Sequence, residues 1–411
     1  MQNIGDNNVE IPSTFEGMEL MRYPDELLLL ILEKVRRVDL FACRLVCRRL
    51  GALALHPGVW RHRRLVVNRR RLTCPVLRLA PCLAKLVVTV PTSSNCHPLT
   101  LLSTKCAASS LQLIVGPGGA AQGALVIRNQ EALGQLRSLE VELEDDFENE
   151  VDMSGHEAAV ILGAVASTGG LRDLVVNPIP ECAPSPLVIE CFIRNNEVSA
   201  PLLKRLHFNV CLRTQSLLKH VVAVNNATLT AINLTGFESM TAVTEMVALA
   251  PVLATLAALR ELACPLLPGL EAVAACEALE KVDLQLSPGT PAATRSAVQF
   301  FLRAKALRHV AMECGDLNTP HSVCCELFEA LSAGRTRATL QSVSVSFLPW
   351  TLPMPAVVQR AMLAALPLLP ALGTIKVGGA VPDELLRQAG HGPGRAGVPD
   401  AGVLGVPSMC S

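Results

Sequence analysis

The chain has 411 residues, half of them apolar, so a large core can be buried. Lys plus Arg and Asp plus Glu number 36 each, and this balance removes the global charge of a nucleic-acid or membrane-surface binder. Aromatics make up only 3%, so Leu, Ala and Val must fill the interior.

Residues 1–19 are polar, lack helical periodicity and are expected to be disordered. Residues 20–62 then read as a compact helical module. Pro24 suits the start of a helix, where its missing N–H costs nothing, and Asp25 and Glu26 follow in the turn that the helix dipole favours for acids. Leu27 to Val35 is apolar nearly all round, more than one small core can hide. Asp39 suits the N-cap of a second helical stretch, in which Leu40, Cys43, Cys47 and Leu50 recur at three- and four-residue spacing. Pro57 and Gly58 stop it, and Trp60 follows as a large aromatic anchor. A piece this small is expected to complete its core with a partner, the alternative being a plain N-terminal cap on the scaffold behind it.

The order P-D-E-L, apolar helix, D-L, R-L-V-C-R-R-L, P-G-V-W closely resembles the F-box motif. The matching positions are Pro24, Glu26, Leu27, Ile31, Leu32, Val35, Asp39, Leu40, Arg44, Val46, Cys47, Arg48, Leu53 and Trp60, while Tyr23 stands where the family commonly has leucine. The resemblance implies docking on the Skp-type adaptor of an SCF (Skp–cullin–F-box) ubiquitin ligase, and through it on cullin, with the rest of the chain holding a protein substrate. The expected adaptor-binding residues are Pro24, Leu27, Leu28, Ile31, Leu32, Val46, Cys47 and Trp60, without separation of contacts from core.

Residues 63–80 open arginine-rich and read as a basic hinge, suited to an acidic partner surface or simply solvated. A nucleic-acid role is set aside because stacking aromatics are nearly absent. From 81 to 388 a unit Leu-x-x-apolar-x-apolar recurs, opening at Leu83, Leu136, Leu171, Leu203, Leu229, Leu259, Leu279, Leu307, Leu340 and Leu372, with a degenerate copy at Leu111. Helix-like segments are expected at 154–167, 216–227, 241–256, 269–278, 292–304, 321–333 and 355–368. This alternation resembles an α/β leucine-rich-repeat solenoid, with parallel strands on a concave face and helices on the convex face. The Asn or Cys usual at the ninth position is met only by Cys211, so irregular turns after the strands are expected. Residues 389–411, rich in Gly and Pro, are expected to be disordered.

By strand alternation the third, fifth and seventh positions of each unit line the concave face. The substrate-binding candidates there are Glu140, Glu142, Asp173, Arg205, His207, Asn233, Asp283, His309, Ser344 and Lys376. The strands span on the order of 50 Å, a surface for a protein rather than a small molecule. The acidic run 140–152 reads as a solvated loop or as a contact for a basic degron.

No motif of an active site survives inspection. Residues 116–121, GPGGAA, fit a dinucleotide fingerprint, but Pro117 stiffens the turn and Gly123 weakens the helix that should follow. His156 and Glu157 begin a zinc-protease pattern, but Val160 stands where the second histidine is needed. Neither Cys43 with Cys47 nor Cys324 with Cys325 has a second ligand pair nearby. The most apolar later stretch, 242–259, contains Glu245 and Pro251 and falls short of the roughly 18 apolar residues a membrane span needs. With no signal peptide, the 15 cysteines are expected to be reduced thiols, the sequons at Asn226 and Asn233 fortuitous, and the protein cytoplasmic or nuclear. The expectation is thus a non-catalytic substrate-recognition subunit of an SCF ligase, needing no cofactor. The competing reading is a leucine-rich scaffold without a role in ubiquitin transfer.

Overall fold

The computed structural model describes residues 22–67, 72–91, 98–144, 153–177, 202–210, 214–235, 249–286, 290–314, 321–347 and 354–378. The expected disordered segments at 1–19 and 389–411, the ninth-position Cys211 and most of the acidic run 140–152 lie outside them.

The N-terminal module has four helical pieces. α1, Asp25–Lys34, starts from an extended Pro24, whose carbonyl accepts from the amides of Leu27 and Leu28. Its first turn carries Asp25 and Glu26 and its last turn Lys34, as the dipole favours. α2 spans Arg37–Val46; Asp39 is not its N-cap, as the sequence suggested, but lies inside its first turn, where its carboxylate accepts from Arg36 Nε at 2.8 Å. The periodic stretch through Leu50 is also not one helix. Cys47 turns to an extended conformation, and its Sγ accepts from the Leu50 amide at 3.4 Å, capping α3, Arg48–Ala54. α4 is the single turn Pro57–Trp60.

Trp60 is fully buried, its Nε1 donating to the Ala54 carbonyl at 2.8 Å and its ring 5.9 Å from that of Phe41. Leu28, Leu32, Leu40, Leu53 and Val59 complete this core, which continues without a break into that of the sheet.

The next residues do not form the expected hinge. Arg64–Val67 is a strand, β1, burying Leu65 and Val67, and Thr73–Leu79 is a helix. β1 opens a sheet of twelve parallel strands whose spatial order is their chain order. β2 is Cys82–Val90, β3 Ala107–Val115, β4 Ser138–Leu143, β5 Asp173–Asn177 and β6 Arg205–Asn209. β7 is Ala231–Thr235, β8 Glu261–Pro265, β9 Lys281–Leu286, β10 His309–Cys314, β11 Ser342–Phe347 and β12 Thr374–Gly378. Every copy of the repeated motif supplies one strand, the degenerate copy at Leu111 supplies β3, and β1 comes from outside the pattern.

The motif has a physical reason at each position. The leading leucines from Leu136 to Leu372 are buried. The fourth positions stack in register as Leu139, Leu174, Leu206, Ile232, Leu262, Val282, Val310, Val343 and Ile375. At each step from Arg137 to Gly373, the second-position carbonyl accepts from the second and third amides of the next unit. These bonds lock neighbouring units in one register, so odd positions share one face and even positions the other.

Helices alternate with these strands at Gly155–Ala166, Gln215–Val224, Pro291–Arg303, His321–Ala333 and Ala356–Ala365, each within the expected segment or starting one residue before it. Of the segment expected at 241–256, only the end is described, with a helical turn at Ala250–Leu253. The segment expected at 269–278 is a 3-10 helix, Leu270–Ala275, entered through Gly269 at φ 81°. The unit between Leu259 and Leu279 is the shortest in the array, and the tighter helix fits the reduced length.

Ala120–Ala132 is a full helix despite Gly123. A Cβ on Gly123 would come within 2.9 Å of Ile161 and 3.1 Å of Leu113, so the glycine lets this helix pack closely against its neighbours. Together these elements are a helical module followed by a parallel sheet alternating with helices, the architecture of a leucine-rich-repeat solenoid.

Candidate functional site

Two surfaces hold the residues that the sequence singled out. The first is on the helical module. Leu28, Leu32 and Trp60 belong to its core, buried to within 4% of complete. Cys47 is half-buried and serves as the cap of α3. The remaining candidates face solvent: Pro24 beside α1, Leu27 and Ile31 on it, and Val46, which is 71% exposed, at the end of α2. Leu30, Val38 and Leu45 are also exposed, Leu45 at 82%, and were not among the sequence candidates.

The exposed apolar residues follow helical spacing. Leu27, Leu30 and Ile31 lie at three and four residues along α1; Val38, Ala42, Leu45 and Val46 do the same along α2. Each helix therefore has one apolar stripe in the core and a second stripe left open. A run of open apolar side chains on neighbouring helices is a feature of surfaces that bind another protein.

The module is fixed to the sheet by Arg63, which sequence reading left in the basic stretch. Its guanidinium donates to the carbonyls of Leu32, Glu33 and Val35, at 2.8 to 3.0 Å, and to Val59 at 2.7 Å. It also lies 5.7 Å from the centre of the Trp60 ring. The Glu33 carbonyl is among those the end of α1 leaves without a partner inside the helix, and the Leu32 carbonyl also accepts from the Val35 amide at 3.2 Å. Burial, then the neighbouring Arg37, lowers the Arg63 pKa, and Glu33 opposes them.

The second surface is the sheet face carrying the odd positions. All ten substrate-binding candidates lie there on strands whose burial alternates. One row runs Ser138, Asp173, Arg205, Ala231, Glu261, Lys281, His309, Ser342, Thr374. The next runs Glu140, Val175, His207, Asn233, Ala263, Asp283, Ala311, Ser344, Lys376.

Several charges are already engaged. Lys85 reaches Glu140 at 3.0 Å, Arg205 pairs with Asp173, and Lys281 lies 3.5 Å from Glu261. Asp283 and Glu313 make no ion pair or hydrogen bond among the described residues. Burial raises the carboxyls of both, Lys281 pulling Asp283 the other way and Asp283 adding to the shift of Glu313. Glu142 is raised by burial and by the nearby Glu144 and Glu140. His207 Nε2 lies 3.3 Å from Asn177 Nδ2 and 3.4 Å from Thr235 Oγ1, and burial lowers its pKa.

The decoy motifs take structural roles. The Gly118 amide donates to Glu157 Oε1 at 2.6 Å, so a carboxylate occupies the amide that a dinucleotide phosphate would need. Glu157 also forms a capping box with Ser154, so its carboxylate serves the start of this helix. A Cβ on Gly119 would meet the Val90 carbonyl carbon at 2.6 Å, so the glycine is set by close approach of the neighbouring strand end. Among the described residues there is no cluster of three or more His, Cys, Asp or Glu able to hold a metal, and no helix long and apolar enough to cross a membrane. Six described free cysteines are buried, and burial pushes Cys106 up to about 12. Cys74 is disulfide-bonded, so the expectation of reduced thiols does not hold for it.

Residues 22–66 match the F-box-like family profile. No curated protein matches the sequence. Among solved structures, a protein from Bacteroides fragilis is similar at 12% identity and a TM-score of 0.32, with 66% of each chain covered. The chain thus spans just under two thirds of that protein. The complex of Rad7 and Elc1 in yeast is similar at 14% identity and a TM-score of 0.42, with 89% of this chain and 85% of that chain covered. Residues 22–66 are therefore an F-box-like domain, packed against the first strands of a parallel repeat sheet.

Proposed function

We propose that the chain is a non-catalytic substrate-recognition subunit of an SCF-type ubiquitin ligase. The F-box-like domain docks on a Skp-type adaptor and through it on cullin, and the open sheet face holds a protein substrate. The chain then acts by proximity, since joining two binding surfaces in one body raises the effective concentration of substrate at the ligase.

The observation that carries this reading is the pair of open apolar stripes on α1 and α2. The core around Trp60 is continued by the sheet behind it rather than completed by a partner, yet Leu27, Leu30, Ile31, Val38, Leu45 and Val46 remain uncovered. Burying a side chain of this size is worth about 1.5–3 kcal/mol, so a partner covering several of them gains a stable interface. On this reading Leu27, Ile31 and Val46 are contacts, while Leu28, Leu32 and Trp60 support them from the core.

The test is co-purification with the adaptor. Leu27→Asp with Ile31→Asp places two charges in the open stripe without entering the core. The pair is expected to cut adaptor recovery at least about a hundredfold, with an unchanged circular dichroism spectrum. Recovery unaffected by the pair would favour the leucine-rich scaffold without a ligase role.

A further inference from the structure

Among the described residues, the open face carries a hollow of about 450 Å³ over β4 to β9. Its position follows from the register. In the row Val175, His207, Asn233, Ala263, Asp283, Ala311, the residue between Asn233 and Asp283 is an alanine, and so is the residue on the far side of Asp283. In the adjacent row, Ala231 separates Arg205 from Glu261. The missing side-chain volume at Ala231 and Ala263 leaves the hollow between longer neighbours.

The chemistry of the walls is one-sided. The two cations at the rim are engaged, Arg205 with Asp173 and Lys281 with Glu261. His207 is turned to Asn177 and Thr235. Two acceptors remain. Asn233 Oδ1 is buried with no hydrogen-bond partner. The Asp283 carboxylate, half-buried between two alanines, likewise has none among the described residues. Burial holds its carboxyl above the usual carboxylate range, and Lys281, itself 3.5 Å from Glu261, offsets this only in part. An anion would find no unengaged cation here, and an apolar side chain would leave both acceptors unpaired.

We propose that this hollow holds an arginine side chain of the protein segment bound on the open face. The inference rests on the reading of the chain as a substrate receptor and names what that receptor selects. Asn233 and Asp283 sit two strands apart, about 10 Å along the row. A planar guanidinium with five donors can serve acceptors on two walls at once, whereas a lysine ammonium is a point charge that serves one. The hollow is larger than one side chain, so a neighbouring residue of the segment enters with it.

The experiment is fluorescence anisotropy with labelled hexa-arginine and hexa-lysine peptides, titrated with the full chain. The parent is compared with Asp283→Asn, which removes the charge, and with Ala263→Leu, which fills the hollow. The expected result is hexa-arginine bound more tightly than hexa-lysine, with its Kd raised about tenfold or more in both variants. Asp283→Asn is expected to melt no lower than the parent, since it removes an unpaired desolvated charge. It therefore decides the matter even if Ala263→Leu perturbs folding. A hexa-arginine Kd unchanged by Asp283→Asn, or no preference over hexa-lysine, overturns the proposal. Adaptor co-purification from the same preparations tests the receptor reading separately. Adaptor retained with the peptide result absent sinks the hollow alone. Adaptor lost with the arginine preference intact sustains the hollow and sinks the ligase role.

Discussion

Arg63 shows how one side chain can join two parts of a fold. Its Nε donates to Val59 of α4 and its Nη2 shares two hydrogens among the carbonyls of Leu32, Glu33 and Val35, at the end of α1 and just after it, and it stands beside the Trp60 ring. Removing it takes this donor from the carbonyls of Leu32, Glu33, Val35 and Val59, of which Leu32 keeps the bond from the Val35 amide. Arg63→Ala is expected to cost about 3 kcal/mol of stability in urea denaturation. Arg63→Lys is expected to recover less than half, since an ammonium cannot span the same set of acceptors. A loss below about 1 kcal/mol in the alanine variant would remove Arg63 from this role. The sequence hid the residue because it is one arginine in a basic stretch, and only the folded chain brings the α1 carbonyls to it. Cys47 was hidden differently: its spacing to Cys43 and Leu50 continues the helical period, so the break between α2 and α3 leaves no mark in the pattern.

At the scale of the strand, the carboxylates of β9 and β10 make a pH-dependent prediction. Asp283 and Glu313 both have carboxyls raised in the fold, with Lys281 as the cation that moderates Asp283. A carboxyl raised in the folded state binds its proton more tightly there than in the unfolded chain. Stability is therefore lost as pH rises from the ordinary carboxyl range through the raised value, and the cost stays at neutral pH. Asp283→Asn with Glu313→Gln is expected to melt higher than the parent at pH 7, with the difference closing as acid protonates the parent. A difference that grows toward acid pH would contradict the assignment. Glu157 behaves in the opposite sense. Its carboxyl is lowered by its bonds to Ser154 and Gly118 against the opposing effect of burial, so its contribution is lost only as pH falls through that lowered value.

The strands themselves were legible because each motif copy opens with a leucine that must be buried and alternates thereafter. β1 was not, since Leu65, Val66 and Val67 form a short apolar run between arginines with no leading leucine at the right distance. The candidate residues of the open face could be assigned to a face from alternation alone. The hollow could not, because it depends on which residue of one unit stands beside Ala263 in the next, and unit lengths vary too much for spacing to give that register. On the helices, the sequence gathered exposed and buried apolar residues into one set; only the packing of α1 against α3 and α4 separated Leu27 and Ile31 from Leu28 and Leu32.

For the molecule as a whole, the consequence is one continuous core from Leu28 to Leu372. The F-box-like domain is not hung on a hinge: Trp60 and Arg63 lead directly into β1, and Cys82 Sγ donates to the Pro57 carbonyl across the seam. In a repeat array each unit is stabilised mainly by its neighbours, so covering one end need not alter the far strands. On the proposed reading, this continuous core holds the open face and the docking helices in one body. Hydrogen–deuterium exchange of the full chain, with and without a purified Skp-type adaptor, tests this most directly. The account predicts added protection in residues 25–46, with the amides of β4 to β11 unchanged. Protection confined to the sheet, or none in α1 and α2 at saturating adaptor, would contradict it.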